Sequence, residues 1–462
     1  MNEIQKLKSK KRTENGDLAY TTTGNHLADL LFLAPYFEKH LDGVEIGTSE
    51  KEKLFAMFMR DARFGMGRRD YGRILMEKAG VTPENIVKAG RFDDLYNIAT
   101  DEALEYLKQQ LAEGNELCKK WMPRLTGKDK HIAKTLCKIW GLNEKQYRAL
   151  IKTDATTEYK LSYAEAKEGT PLNELFNKNE VEHPLVDKID FEKVPSLAMT
   201  KYIHTFSTRD DLKGRFADYL AKVKENKAKV NTKTANVYDG YKTATRGGFT
   251  TQSVEDEARD IISNKIVDNA TLNVEMNAIT ILDTSGSMGW GLQGSLLEKA
   301  YSIAYAIASK STYAKDQVIS FSSSPKLMTI KGNTMKEKYE SMYTGDCSNT
   351  DFGKVMKLLS RLKKFPEYLV VISDMEFDYG SNQSKKETME LFKKYEAPTK
   401  IIWWNLNDRN KTCIELDEYG NFYMSGYNMQ ILKCLENNMD MTSYISKILQ
   451  EYSKKIGMKY DE

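Results

Sequence analysis

Hydrophobic positions change their spacing near residue 270. Upstream they recur with a helical period. Leu27-Ala28-Asp29-Leu30-Leu31-Phe32 and Leu54-Phe55-Ala56-Met57-Phe58-Met59 read as buried helix faces, and Leu104, Leu107 and Leu111 follow an i, i+3, i+7 spacing. Tyr202, Phe206, Phe216 and Leu220 continue it. Glycine and proline interrupt the pattern every few tens of residues, at Gly24, Gly65-Gly67, Gly80, Pro83, Gly114, Pro123, Gly141, Pro171 and Pro195. Helices of roughly 10–20 residues between such breaks, with few strand-like runs, predict stacked helix pairs in an α-solenoid. No crisp repeat consensus accompanies them, so an irregular helical domain is the alternative.

Downstream, short continuous apolar runs alternate with amphipathic stretches. Ala278–Leu282, Gln317–Phe321, Tyr368–Ile372 and Lys400–Trp404 predict strands, with a weaker one at Asn421–Met424. Helices are predicted at Leu296–Ser311, Phe352–Lys364, Lys385–Tyr395 and Thr442–Ile456. Strands that are apolar throughout need cover on both faces, which implies a mostly parallel, Rossmann-like α/β sheet. Ligands of such sheets bind beyond the carboxyl ends of the strands.

Composition narrows the classes. At 462 residues two domains are expected, and 40% hydrophobic with 29% charged residues is ordinary for a soluble protein. No apolar run reaches the ~20 residues of a membrane span, and Met1-Asn2-Glu3-Ile4-Gln5-Lys6 lacks the apolar core of a secretory signal. The five cysteines, Cys118, Cys137, Cys347, Cys413 and Cys434, form no CxxC pair, and their odd number argues for reduced thiols in a cytoplasmic protein. His26, His40, His131, His183 and His204 show no zinc-ligand spacing. The net charge is +3, with 45 basic and 42 acidic residues before residue 270 and 24 of each after it, so a nucleic-acid surface must be a local patch.

The first downstream strand runs into Asp283-Thr284-Ser285-Gly286-Ser287. Alternate oxygens at Asp283, Ser285 and Ser287 on a tight turn suit a hard divalent cation, which takes oxygen ligands in near-octahedral geometry. A lone DxSxS is equally a helix cap with a flanking turn. Two more oxygens fall at other strand ends, Thr350 before the Phe352 helix and Asp374 after the Tyr368–Ile372 strand. This set resembles the metal-ion-dependent adhesion site (MIDAS) of von Willebrand factor A (vWA) domains, with all five positions present and residues 271–462 covered in order. The resemblance implies that Ser285, Ser287 and Thr350 ligate through hydroxyls, while Asp283 and Asp374 hold the ion directly or through water. Mg²⁺ fits best, with Mn²⁺ or Ca²⁺ as alternatives. Two carboxylates leave such a site electrophilic, with a position open to an outside carboxylate or phosphate oxygen. No general base is placed by any motif, so binding rather than turnover is expected.

The helical half carries landmarks of its own. They are Thr13–Asn25, the run Phe58-Met59-Arg60-Asp61-Ala62-Arg63-Phe64-Gly65-Met66-Gly67-Arg68-Arg69-Asp70, and Gly90-Arg91-Phe92-Asp93-Asp94-Leu95. They resemble Ro/TROVE-type RNA-binding proteins and a related family that joins the same helical region to a vWA domain. Asp190–Ala198 and Ser373–Asp378 match the second family better. The resemblance implies a helical-repeat domain over residues 1–270 that curls into a ring, closed by a vWA domain over 271–462, with basic residues on the ring binding structured or small non-coding RNA. Arg60, Arg63 and Arg91 sit in matching positions. The Phe64–Arg69 loop departs from the family's Gly-Gly-Lys-Gly-Glu-Arg type, losing a glycine and the lysine and gaining an arginine, so Arg68 and Arg69 carry its charge.

Two further stretches are basic on charge alone. Lys119-Lys120-Trp121-Met122-Pro123-Arg124 is one. In Lys213–Gly248, nine Lys or Arg, among them Lys222, Lys224, Lys229 and Lys233, face three acidic residues, with Asn231, Thr232, Tyr238 and Tyr241 interleaved. Solvated helix faces are the plain alternative for both. The acidic Glu158–Glu192 segment would repel RNA. The expected function is that of a Ro-like RNA-binding protein with a cation site. The alternative is a non-enzymatic adaptor whose cation site grips an acidic side chain of a protein partner, with a metal-dependent hydrolase as a residual third.

Overall fold

A computed structural model describes residues 10–12, 18–20, 25–32, 34–38, 41–152, 189–232, 235–246, 253–270, 275–289, 291–321, 323–345, 352–359, 361, 365–374, 390, 392–393, 399–407, 415–416, 422–425 and 441–460. The chain forms two compact units whose sequences interleave. One comprises His40–Pro195, Thr208–Phe216 and Ile445–Glu462; the other comprises Met1–Lys39, Ser196–Ser207 and Ala217–Tyr444.

The first unit is helical. Helices Glu50–Arg60, Arg69–Lys78, Pro83–Ala89, Phe92–Ile98, Asp101–Ala112, Glu116–Trp121, Lys130–Ile139 and Glu144–Leu150 follow one another. Their starts are written locally. Ser49 and Glu52 form a capping box, Pro83 opens its helix at the first turn, and the Thr100 side chain accepts from Ala103 N. Glu50–Arg60 packs on both Arg69–Lys78 and Pro83–Ala89, and from Pro83–Ala89 to Glu116–Trp121 each helix packs on the next. The helical region expected upstream is thus present. The helix Met441–Ile456 supplies its later turns to this unit.

The second unit is α/β. Strands β1 (Lys10–Arg12) and β2 (Leu18–Tyr20) form an antiparallel pair by themselves. Strands β3 (Ala278–Asp283), β4 (Gln317–Phe321), β5 (Lys326–Thr329), β6 (Tyr368–Ser373), β7 (Lys400–Asn405), β8 (Glu415–Leu416) and β9 (Phe422–Ser425) form a sheet of order β5-β4-β3-β6-β7-β9-β8. The contiguous strands β4, β3, β6, β7 and β9 run parallel, and the edge strands β5 and β8 pair antiparallel. Trp403 and Trp404 are neighbours on β7 and so point to opposite faces, yet both are at most 1% exposed. The sheet is therefore covered on both sides. Val355 and Leu359 of helix Phe352–Leu359 join Ile279, Ile281, Phe321, Val371 and Trp403 in one core. Helix Leu296–Ala308 packs against β3, β4 and β6, and its alanines at 300, 304, 306 and 308 are buried.

The four main strands begin where the apolar runs predict, and β3, β6 and β7 each extend one residue further. Edge strand β5 was not expected. Helices Val237–Thr245 and Ser253–Ala270, upstream of residue 270, belong to the α/β unit, and Val237–Thr245 packs on Leu296–Ala308. The predicted Lys385–Tyr395 helix and the acidic 158–192 segment lie largely outside the described residues. No helix among the described residues is long and apolar enough to cross a membrane, and Cys118 and Cys137 are buried free thiols.

Candidate metal centre and basic surfaces

Because β3 and β6 are parallel neighbours with Leu282 opposite Ile372, their carboxyl ends leave the sheet at the same edge. Asp283 closes β3, and Asp374 follows β6; both are at most 1% exposed. The two oxygens of Asp283 are spoken for. Oδ1 accepts from Ser285 N at 2.9 Å, and Oδ2 accepts from Ser373 Oγ at 2.5 Å. Ser285 then caps a 3-10 turn, Gly286–Met288, which brings its Oγ within 3.0 Å of Ser287 Oγ. Thr350 lies outside the described residues. The other four expected ligands converge on this edge.

Burial pushes the Asp283 carboxyl up to about 7, and the Asp374 carboxylate pushes the same way, against the hydrogen bonds from Ser373 and Ser285. Thr284 Oγ1, in the same turn, is buried without a hydrogen-bond partner among the described residues. Two buried carboxylates beside two hydroxyls at one sheet edge are a donor set that fits a hard divalent cation. Among the described residues no group of three or more His, Cys, Asp or Glu is placed to hold a metal. This set differs from such groups in taking half its oxygens from hydroxyls.

A pH dependence follows for the cation-free chain. The folded carboxyl keeps a proton that the unfolded chain has already lost, so stability falls as pH climbs from the ordinary carboxylate range to about 7, then levels. Thermal unfolding in chelator should therefore shift downward between about pH 5 and about pH 7.5, and excess Mg²⁺ should suppress the decline. A transition in chelator that moves upward over that interval would refute the raised carboxyl.

Four arginines of the helical unit, Arg60, Arg69, Arg73 and Arg91, converge on two aspartates. Arg60, its side chain 6% exposed, is bidentate to Asp94 through Nε at 3.1 Å and Nη2 at 2.8 Å. Arg73 bonds both Asp94 and Asp93. Arg69 reaches Asp93 at 2.9 Å, and Arg91 grips it through Nε at 3.1 Å and Nη2 at 3.0 Å. Arg63 donates to Lys88 O, and Arg68 is partly exposed. Arg91 also lies 4.0 Å over the ring of Trp121, the last residue of the helix that carries Lys119 and Lys120. Two basic stretches separated in sequence thus meet at the Arg91–Trp121 contact.

In the α/β unit the basic stretch is largely paired. Lys224 bonds Glu257, Lys227 bonds Glu225 and Lys242 bonds Asp239. Lys222 and Lys229 are exposed, whereas Lys233 lies outside the described residues. Sequence reasoning missed Asp93 and Asp94 as the arginines' partners. It also missed Ser373, although register places Ser373 beside Asp283 once β3 and β6 are paired.

A family model described as a domain of unknown function, DUF7788, matches residues 277–456, from the residue before β3 to the end of the last helix. A second, DUF2828, matches residues 96–237. Uncharacterized protein L728 of Acanthamoeba polyphaga mimivirus is 24% identical over 508 aligned positions, covering 95% of this chain and 87% of its own. Among solved structures, the Deinococcus radiodurans RO (RSR) protein aligns at 10% identity with a TM-score of 0.38, covering 93% of this chain and 94% of its own.

Proposed function

We propose that the chain is a non-enzymatic, Ro-type binding protein that holds a divalent cation at Asp283, Ser285, Ser287, Thr350 and Asp374, and binds RNA with its helical unit. The observation that carries the cation is the pair of buried carboxylates at adjacent parallel strand ends, with two hydroxyls on the turn beside them. Mg²⁺ suits oxygen donors of this kind, with Mn²⁺ and Ca²⁺ as alternatives. When bound, the ion offers an open position to an outside carboxylate or phosphate oxygen. Asp283, oriented by Ser373 and Ser285, supplies the fixed negative charge.

The RNA reading is supported by the sequence landmarks and by Arg91, which shares Asp93 with Arg69 and lies over Trp121 of the helix that carries Lys119 and Lys120. An arginine stacked on a half-buried tryptophan beside lysines suits phosphate contact and base stacking. Arg60 acts here as an internal brace rather than a contact.

The adaptor reading has its own support. Arg69, Arg91, Lys119 and Lys224 already hold carboxylates, which lowers the charge available to phosphate. Filter binding across a salt series separates the two. RNA binding should weaken linearly in log–log form, by roughly 0.7 per phosphate on single strands. Neutralising Arg68, Lys119 and Lys120 to glutamine should flatten that slope by roughly 2, while Asp283→Ala leaves it unchanged. Undetectable RNA binding at low ionic strength would leave the adaptor reading alone.

A further inference from the structure

One carboxylate oxygen outside the ligand set collects three donors. Glu298 Oε2 accepts from Gly294 N at 2.8 Å, from Tyr238 Oη at 2.8 Å and from Arg246 Nη2 at 2.6 Å. Arg246 Nη2 also donates to Tyr238 Oη at 2.9 Å, closing a triangle whose members all belong to the α/β unit. Glu298 is the third residue of helix Leu296–Ala308, and Ser295 Oγ caps its amide at 3.2 Å. In an ordinary capping box the third-residue carboxylate reaches back to the cap residue's own amide. Here it reaches one residue further, to the loop.

That loop is the continuation of the hydroxyl-bearing turn. Ser287 is exposed, and the chain leaves it through Gly289 and Gly294, whose φ values of 82° and 80° belong to the left-handed region. Leu292 is 67% exposed, so it gives the loop no anchor in the core. The turn is fixed on one side by β3. On the other, Glu298 ties the loop to Tyr238 and Arg246, at the two ends of helix Val237–Thr245. That helix is seated independently, since Tyr241 Oη bonds Tyr343 Oη at 2.8 Å and the Asn236 side chain caps its start.

We propose that Glu298 is a positioning residue for the cation site, holding the loop after Ser287 against helix Val237–Thr245 so that the turn is set before the ion arrives. The proposal rests on the cation reading above. Preordering a ligand-bearing loop raises affinity by removing the entropy that binding would otherwise lose. Glu298 touches no ligand in this scheme; it acts through the loop backbone.

Mg²⁺ titration calorimetry on the full chain tests it, with chelator-stripped thermal unfolding as the companion measurement. Glu298→Ala should weaken Mg²⁺ by about tenfold. Glu298→Gln, whose carbonyl still accepts from Gly294 and Tyr238, should stay within about twofold of wild type. Tyr238→Phe, a mild change that keeps the fold, should cost about threefold. A capping role alone would lower the unfolding temperature in chelator and leave Mg²⁺ affinity unchanged, and that pattern overturns the proposal. Should Glu298→Ala fail to fold, the glutamine and Tyr238→Phe arms decide by the same affinities. If wild type takes up no Mg²⁺, the cation reading falls and this inference with it. If wild type binds and all three variants match it, only the inference falls.

Discussion

Asp283→Ala is expected to abolish Mg²⁺ and Mn²⁺ binding in calorimetric titration while the helical unit keeps its far-ultraviolet signature, because the proposed ligands all belong to the α/β unit. Two effects act together in that variant. The cation loses a carboxylate, and Ser373 Oγ and Ser285 N lose their acceptors in a buried place, at about 1–3 kcal/mol each. Asp283→Asn separates them. The amide keeps the shape and one acceptor but removes the charge that burial opposes. In chelator at alkaline pH, Asp283→Asn should unfold at a higher temperature than wild type, whereas Asp283→Ala should unfold at a lower one. Added Mg²⁺ should stabilise wild type and neither variant. Undiminished Mg²⁺ affinity in Asp283→Asn would refute the site.

What the sequence made legible, and what it hid, follows from where the determining partner lies. The strands from Ala278, Gln317, Tyr368 and Lys400 could be placed because a strand buried on both faces must be apolar at every position. Edge strand Lys326–Thr329 escaped because it pairs on one side only and is mostly exposed, so its sequence carries no such constraint. Asp283, Ser285 and Ser287 lie on one turn, and a local turn is readable from spacing. The roles of Arg60 and Arg69 were hidden because their aspartates lie 34 and 24 residues away. A run of arginines shows its charge but not its counter-charge. Arg91 was closer to legible, since Asp93 is two positions on.

The last helix poses the same problem at larger scale. Its period announces an apolar face, and nothing in that period says which core the face completes. In the structure, Ile445, Leu449 and Tyr452 of helix Met441–Ile456 are buried, and the portion from Ile445 onward belongs to the helical unit. Tyr452 stacks edge-on to Phe58 at 5.5 Å and donates to Asp61 Oδ2 at 3.2 Å, and Lys51 Nζ reaches Ser446 Oγ at 3.0 Å. Truncating the chain after Tyr444 removes three large buried side chains, at roughly 1.5–3 kcal/mol each. That sum is comparable to the whole stability of an ordinary domain, about 5–15 kcal/mol. The truncated chain is therefore expected to lose protection of the Glu50–Arg60 amides in hydrogen exchange, although that helix lies some 400 residues upstream of the cut. Tyr452→Phe keeps the ring and removes one hydrogen bond, so it should cost only about 1 kcal/mol and leave that protection in place. A truncated chain whose Glu50–Arg60 amides exchange as slowly as in the full chain would show that the helical unit does not need its C-terminal helix.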